Sequence, residues 1–109
     1  MSVAMKHDVR EVEGRVVVSL EGEIDLDASP QLREVLLARI EETRTLHVEL
    51  GGVTYIDSSG IATLVEVFQA ARRLEHAFAL VGVSQAVARV LELARLDQVF
   101  TVLEADGGD

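Results

Sequence analysis

The 109-residue chain contains no cysteine. That excludes disulfides, thiolate zinc sites, cysteine nucleophiles and iron–sulfur clusters, and it fits a reducing cytosol. Tryptophan is absent too, and one tyrosine with three phenylalanines leaves little for stacking on bases or sugars. Positive charge is scarce: ten Lys and Arg against nineteen Asp and Glu leave a net charge of −9. A polyanion is repelled by such a chain, and no basic cluster offsets the deficit, so no direct nucleic-acid partner is expected. No apolar run approaches bilayer length, and the start Met1-Ser2-Val3-Ala4-Met5-Lys6 lacks a signal-peptide core, so no membrane insertion is expected. What is present is 49% apolar content. A chain of this size removes roughly two-thirds of its unfolded surface from water on folding, without metals or staples. With no linker, repeat or low-complexity tract, residues 1–109 read as one soluble, acidic, cytoplasmic domain. Only the tail, Ala105 to Asp109, is too polar and glycine-rich to pack and is expected to fray.

The hydrophobic period switches between 2 and 3.6 along the chain. Lys6 to Val12 is a weaker strand candidate, and Glu13-Gly14 makes a tight turn into the next. Val16, Val18 and Leu20 alternate with Val17, Ser19 and Glu21, a strand closed by Gly22. Ser29-Pro30 starts a helix, with Ser as N-cap and Pro in the first position, and Leu32, Val35, Leu36 and Ile40 form its stripe. Leu46, Val48 and Leu50 alternate with polar neighbours in a third strand. Ala77 to Val81 reads as a strand buried on both faces, and Val99 to Leu103 as a short final one. Ser84 caps a helix striped by Val87, Val90, Leu91 and Ala94. This order predicts an α/β fold: a mixed sheet of four to five strands, with three or more helices packed mainly on one face.

The middle helix, from about Ser59 to Leu74, divides by arithmetic. At 100° per residue, Ile61, Leu64, Val65, Val67, Phe68, Ala71 and Leu74 share one arc. Opposite lie Ala62, Glu66, Gln69 and Arg73, either a solvated face or a docking strip that begins beside the helix N-terminus.

Gly51-Gly52-Val53-Thr54-Tyr55-Ile56-Asp57-Ser58-Ser59-Gly60 joins the third strand to that helix. Asp57, Ser58 and Ser59 are all good N-caps, yet one cap does not require two consecutive hydroxyls. No Glu or Gln follows three residues later to complete a capping box. A hydroxyl at this place stands beside unpaired N–H groups and the positive end of the helix, where a phosphate is tolerated by the fold and acts outward on a partner.

Val53-Thr54-Tyr55-Ile56-Asp57-Ser58-Ser59-Gly60-Ile61, preceded by Gly22-Glu23-Ile24-Asp25, resembles the STAS-domain family of bacterial anti-sigma-factor antagonists. The likeness runs from about Val9 to Leu103, and Asp-Ser-Ser-Gly is its specific element. One departure is Ile61-Ala62, where members often carry Leu-Gly; Ala62 still permits close approach. The resemblance implies a single STAS-like domain in which Ser58 is phosphorylated by a kinase that is also the anti-sigma factor. Asp25 and Asp57 match acidic residues at the phosphorylation site, although each also reads as an ordinary loop or turn acid. Ser59 is the second candidate for modification and the better candidate for the cap, with Gly60 completing the motif. The implied function is partner switching: the unmodified domain binds the serine-kinase anti-sigma factor and frees the sigma factor, and a phosphatase resets the phosphorylated form. The alternative use of the fold is as an accessory subunit of an ABC-type lipid or solute transporter, or as a scaffold piece of a stress-signalling complex.

An enzymatic reading lacks its parts. There is no Gly-x-Ser-x-Gly elbow and no P-loop, and His7, His47 and His76 are scattered on polar or turn positions that suit surface histidines. Neither catalysis, a cofactor nor a metal site is expected.

Overall fold

Two residues reverse the chain between the first two strands. Glu13 and Gly14 both take positive φ, 52° and 84°, the hairpin turn whose twist matches the strands it joins. The computed structural model describes residues 4–105; Asp106 to Asp109 of the tail expected to fray lie outside the described residues. The elements are β1 (Lys6–Val12), β2 (Arg15–Ile24), α1 (Ser29–Glu42), β3 (Thr45–Ile56), α2 (Ser58–Leu74), β4 (Ala77–Val81), α3 (Gln85–Leu93) and β5 (Thr101–Leu103). β1 pairs antiparallel with β2, and every later pairing is parallel.

Strand order in the five-stranded sheet follows chain order. Each crossover therefore steps the same way, and the right-handed connection that parallel strands adopt lays all the helices on one face. The alternation agrees. Val16, Val18, Leu20, Leu46, Val48, Leu50, Phe78 and Leu80 meet Leu32, Leu36, Ile40, Leu64, Val67, Val87 and Leu91 in one core. The other face carries Val17, Ser19, His47, Glu49, Ala79 and Val81, in register across β2, β3 and β4. There Arg10 donates to Ser19 Oγ (2.7 Å) and to both Glu49 oxygens (3.0 and 3.1 Å). Ser19 also donates to Glu49, and that bond, ahead of Arg10, holds the Glu49 carboxyl below the usual carboxylate range.

Several boundaries differ from expectation. β2 does not close at Gly22 but runs to Ile24, and β3 continues through Gly51-Gly52 to Ile56. The two strands pair to their ends across register shifts between Ser19/Glu21 and Gly22/Glu23. Gly52 permits this approach: a Cβ there would stand 2.9 Å from Glu21 Cγ and 3.2 Å from the Leu20 carbonyl oxygen. Val99 lies before β5 rather than in it. Ser29 is not an N-cap. Ala28 holds that position without a side-chain bond, because Ser29 is already in the helix and its hydroxyl turns back to the Asp25 carbonyl (2.9 Å). Ser84 does cap α3, accepting from Val87 N–H (3.3 Å) while donating to Val53 O (2.7 Å). His76 is half-buried, its Nδ1 2.8 Å from Ile40 O, rather than a surface histidine.

In α2 the buried side is Ile61, Thr63, Leu64, Val67, Ala70 and Ala71, with Val65 and Phe68 partly covered and Leu74 exposed at the end of the helix. The expected arc is therefore rotated toward Thr63 and Ala70, since α1 flanks α2 as well as the sheet beneath it. Full-length pairing of β2 and β3 sets Ile24 beside Ile56, so the segments that follow them leave the same end of the sheet.

Gly60 is where α2 meets that end. A Cβ there would lie 2.7 Å from Ile56 Cγ1 and 2.8 Å from Ile24 Cγ2, closer than real contacts allow. Gly60→Ala is expected to lower the unfolding free energy by about 1–3 kcal/mol, the usual cost of overpacking. Urea denaturation checks this; an unchanged midpoint refutes the close approach.

Candidate functional site

The end of β3 delivers Asp57 to the amino end of α2 in extended conformation (φ −105°, ψ −173°), which an N-cap residue requires. The expected cap was Ser59; the structure assigns the role to Asp57. One oxygen, Oδ1, accepts from Ser59 N–H (2.9 Å), Gly60 N–H (3.2 Å) and the Ser59 hydroxyl (2.6 Å). The Leu26 N–H also faces the carboxylate and favours its charged form. On the main chain, Asp57 N–H donates to Ile24 O (3.1 Å) and Asp57 O accepts from Ile61 N–H (3.1 Å). A carboxylate outcompetes a hydroxyl for amides at the positive end of a helix, which explains the assignment. These donors, led by the Ser59 hydroxyl, hold the Asp57 carboxyl below the usual aspartate range.

The segment from Asp25 to Ala28 closes on itself beside this cap. Asp25 Oδ1 accepts from Ala28 N–H (3.1 Å), and Asp25 O accepts from the N–H groups of Ala28 (3.1 Å) and Ser29 (3.0 Å). Asp25 is half-buried and acts as the cap of its own turn. Ser29 Oγ lies 2.7 Å from Ser59 Oγ. Two hydroxyl protons thus serve three contacts: Ser59 to Asp57, Ser29 to Ser59, and Ser29 to Asp25 O. The charge-assisted bond to Asp57 takes the Ser59 proton. The single Ser29 proton is left between Asp25 O and Ser59 Oγ, both within hydrogen-bond reach.

Ser58 stands apart from this chain of contacts. It is the first residue of α2 and exposed, and no hydrogen bond ties its hydroxyl to another described residue. Asp25, Asp57, Ser58, Ser59 and Gly60 are thus brought together. Only the Ser58 side chain is uncommitted.

The strip along α2 is only partly as expected. Ala62, Gln69 and Arg73 are exposed, but Glu66 is half-buried and engaged by Arg33 of α1. The Arg33 Nη2–Glu66 Oε2 distance is 2.7 Å, with Arg33 Nε also donating to both Glu66 oxygens (2.9 and 3.0 Å). Glu66 therefore braces α1 against α2 instead of facing solvent alone. Sequence reasoning missed Ser29, Arg33 and Leu26 at this site. For Ser29 and Arg33 no local signal exists, since their partners lie about a third of the chain away. For Leu26 there was one: a lone large apolar residue between Asp25 and Asp27.

Among the described residues, no group of three or more His, Asp or Glu is placed to share a metal ion, and no helix is long and apolar enough to cross a membrane.

The STAS domain family matches residues 6–105. The chain belongs to that family. This STAS domain is 28% identical over 102 residues to the anti-sigma-B factor antagonist of Bacillus subtilis, covering 93% of this chain and 94% of the relative. It is 33% identical over 88 residues to the protein of the same name from Staphylococcus epidermidis, covering 80% of this chain and 82% of the relative. Its structure superposes on an anti-sigma factor antagonist from Mycobacterium paratuberculosis with a TM-score of 0.85 at 26% identity, over 94% of this chain and 90% of the other.

Asp57→Ala is expected to cost about 0.5–2 kcal/mol at neutral pH, the usual worth of a cap. The folded-state pKa of Asp57 is depressed, so its contribution is complete above the unfolded value of about 3.9 and is lost as pH falls through the lower folded value. The stability gap between wild type and Asp57→Ala should therefore hold steady above about pH 5 and narrow below about pH 4. Denaturation curves for both proteins across that window check it; a gap that widens in acid rules out the capping role.

Proposed function

We propose that this STAS domain is an anti-sigma-factor antagonist whose partner binding is switched by phosphorylation of Ser58. Unmodified, it binds a serine-kinase anti-sigma factor and so frees the sigma factor, regulating transcription indirectly. Phosphorylated, it lets go, and a phosphatase resets it. In this reading the domain is a binding module and substrate, not a catalyst, and Ala62, Gln69 and Arg73, with Glu66 braced beneath them, extend the docking surface from Ser58 along α2.

One observation carries the proposal: of the hydroxyls gathered at the amino end of α2, only that of Ser58 is exposed and without a bond to a described residue. Ser59 is engaged by Asp57 and Ser29, so its modification would break the cap. Modification of Ser58 leaves every contact in that chain in place. The relatives named as antagonists support this reading over a transporter subunit or a scaffold piece.

Magnitudes permit release by charge. A phosphoserine adds about −1.5 to −2 charges. A kinase site opposite Ser58 supplies anionic groups of its own, the phosphates of its nucleotide and a catalytic carboxylate. At an effective dielectric of 20, two like unit charges 5 Å apart repel by roughly 3 kcal/mol. A doubly charged group facing even one of these reaches the ~5.5 kcal/mol that turns an equilibrium from nearly all bound to nearly all free.

The test is incubation with magnesium-ATP and the serine-kinase anti-sigma factors encoded in the same genome. Wild type is expected to gain the mass of one phosphate and Ser58→Ala none, while Ser58→Ala still binds. Ser58→Asp is expected to bind the unmodified protein's partner substantially more weakly. A mass shift that persists in Ser58→Ala moves the site to Ser59, and Ser58→Asp binding as tightly as wild type removes the charge-release mechanism.

A further inference from the structure

The docking strip on α2 contains no large apolar side chain, since Ala62, Glu66, Gln69 and Arg73 are small or polar. Hot spots at protein interfaces are mostly Trp, Tyr and Arg, which Arg73 alone supplies on the strip, and covering a large apolar side chain adds affinity by the hydrophobic effect. Two large side chains, one apolar and one aromatic, stand at the ends of the strands that lead to the site. Leu26, just beyond β2, is 73% exposed, and Tyr55, next to last in β3, is 48% exposed. Glu23 pairs with Tyr55 and Ile24 with Ile56, so the two segments leave the sheet side by side. Ile56 points into the core, and alternation turns Tyr55 outward.

Leu26 is not displayed on a loose loop. The turn that carries it is closed by Asp25 Oδ1 to Ala28 N–H (3.1 Å) and Asp25 O to Ser29 N–H (3.0 Å). An apolar side chain held rigidly in water loses little entropy when a partner covers it. Acids frame it. Glu23, Asp25 and Asp27, the last two the chain neighbours of Leu26, line one concavity of about 260 Å³, and Glu21 is exposed on β2.

We infer that Leu26 and Tyr55 are the apolar anchors of the interface around Ser58, and that the partner meets them with an apolar pocket ringed by Lys or Arg. The inference rests on the antagonist reading above and names the chemistry of its partner: anionic opposite Ser58, apolar opposite Leu26 and Tyr55, and basic at the rim.

The test uses the full chain, the genome's serine-kinase anti-sigma factors as probes, and Leu26→Ser and Tyr55→Thr, the second chosen to keep β-propensity. Thermal melting confirms that each variant folds. Each is expected to weaken binding by roughly tenfold, the worth of covering one large apolar side chain, through faster dissociation. The wild-type association rate is expected to fall as salt rises, as a basic rim facing these acids requires. If wild type binds and both folded variants bind equally well, the anchors are refuted while the antagonist reading stands. An association rate indifferent to salt refutes the basic rim. If no such factor binds wild type, the antagonist reading fails and the anchor assignment fails with it.

Discussion

The carboxylate of Asp57 fixes how the end of β3 turns into the start of α2. It starts α2 by accepting the Ser59 and Gly60 N–H groups, and it takes the Ser59 hydroxyl. Its main chain continues β3 alongside Ile24. The positive end of α2 and these donors keep it ionised, so a concentrated negative charge is absorbed into the frame instead of being offered to solvent. Everything placed around Ser58 depends on that arrangement. The first turn of α2 and the paired hydroxyls of Ser29 and Ser59 are both referred to one carboxylate.

This explains how two adjacent serines acquire different characters. Ser59 faces inward, toward Ser29 and Asp57, and its hydroxyl is part of the support. Ser58, one residue and about 100° away around the helix, faces outward and supports nothing. A binding switch needs such a division. The modified group must be free to change charge, and the fold must be indifferent to the change. Gly60 contributes by omission, since the space a Cβ would need is filled by Ile24 and Ile56, which seat the helix end on the sheet.

The bracing of α1 against α2 follows the same pattern. Arg33 and Glu66 meet across the two helices on the side away from the sheet. Between exposed groups such a pair is worth little to stability, about 0–1 kcal/mol. Its effect is one of placement: Glu66 is turned toward α1, which leaves Ala62 as the small, open first residue of the strip beside Ser58. The strip is therefore less acidic toward a visitor than its residues suggest.

Local chemistry was legible in the sequence wherever the cause was local. Alternation of Val16, Val18 and Leu20 and of Leu46, Val48 and Leu50 revealed the central strands, because a pleated strand buries every second side chain. Ser84 was readable as a cap, and the Asp-Ser-Ser-Gly segment marked the site, because both act within one turn of backbone. What the tertiary structure decided were the features whose partners lie far along the chain. Ser29 and Arg33 find theirs 30 and 33 residues away. β2 and β3 extend past their glycines because each has the other as a neighbour. Among Asp57, Ser58 and Ser59, all competent caps, the sequence favoured Ser59 and the structure took Asp57. The fold settled it: Ser29 engages the Ser59 hydroxyl, and the Asp57 carboxylate gathers several donors at once, as a single hydroxyl cannot.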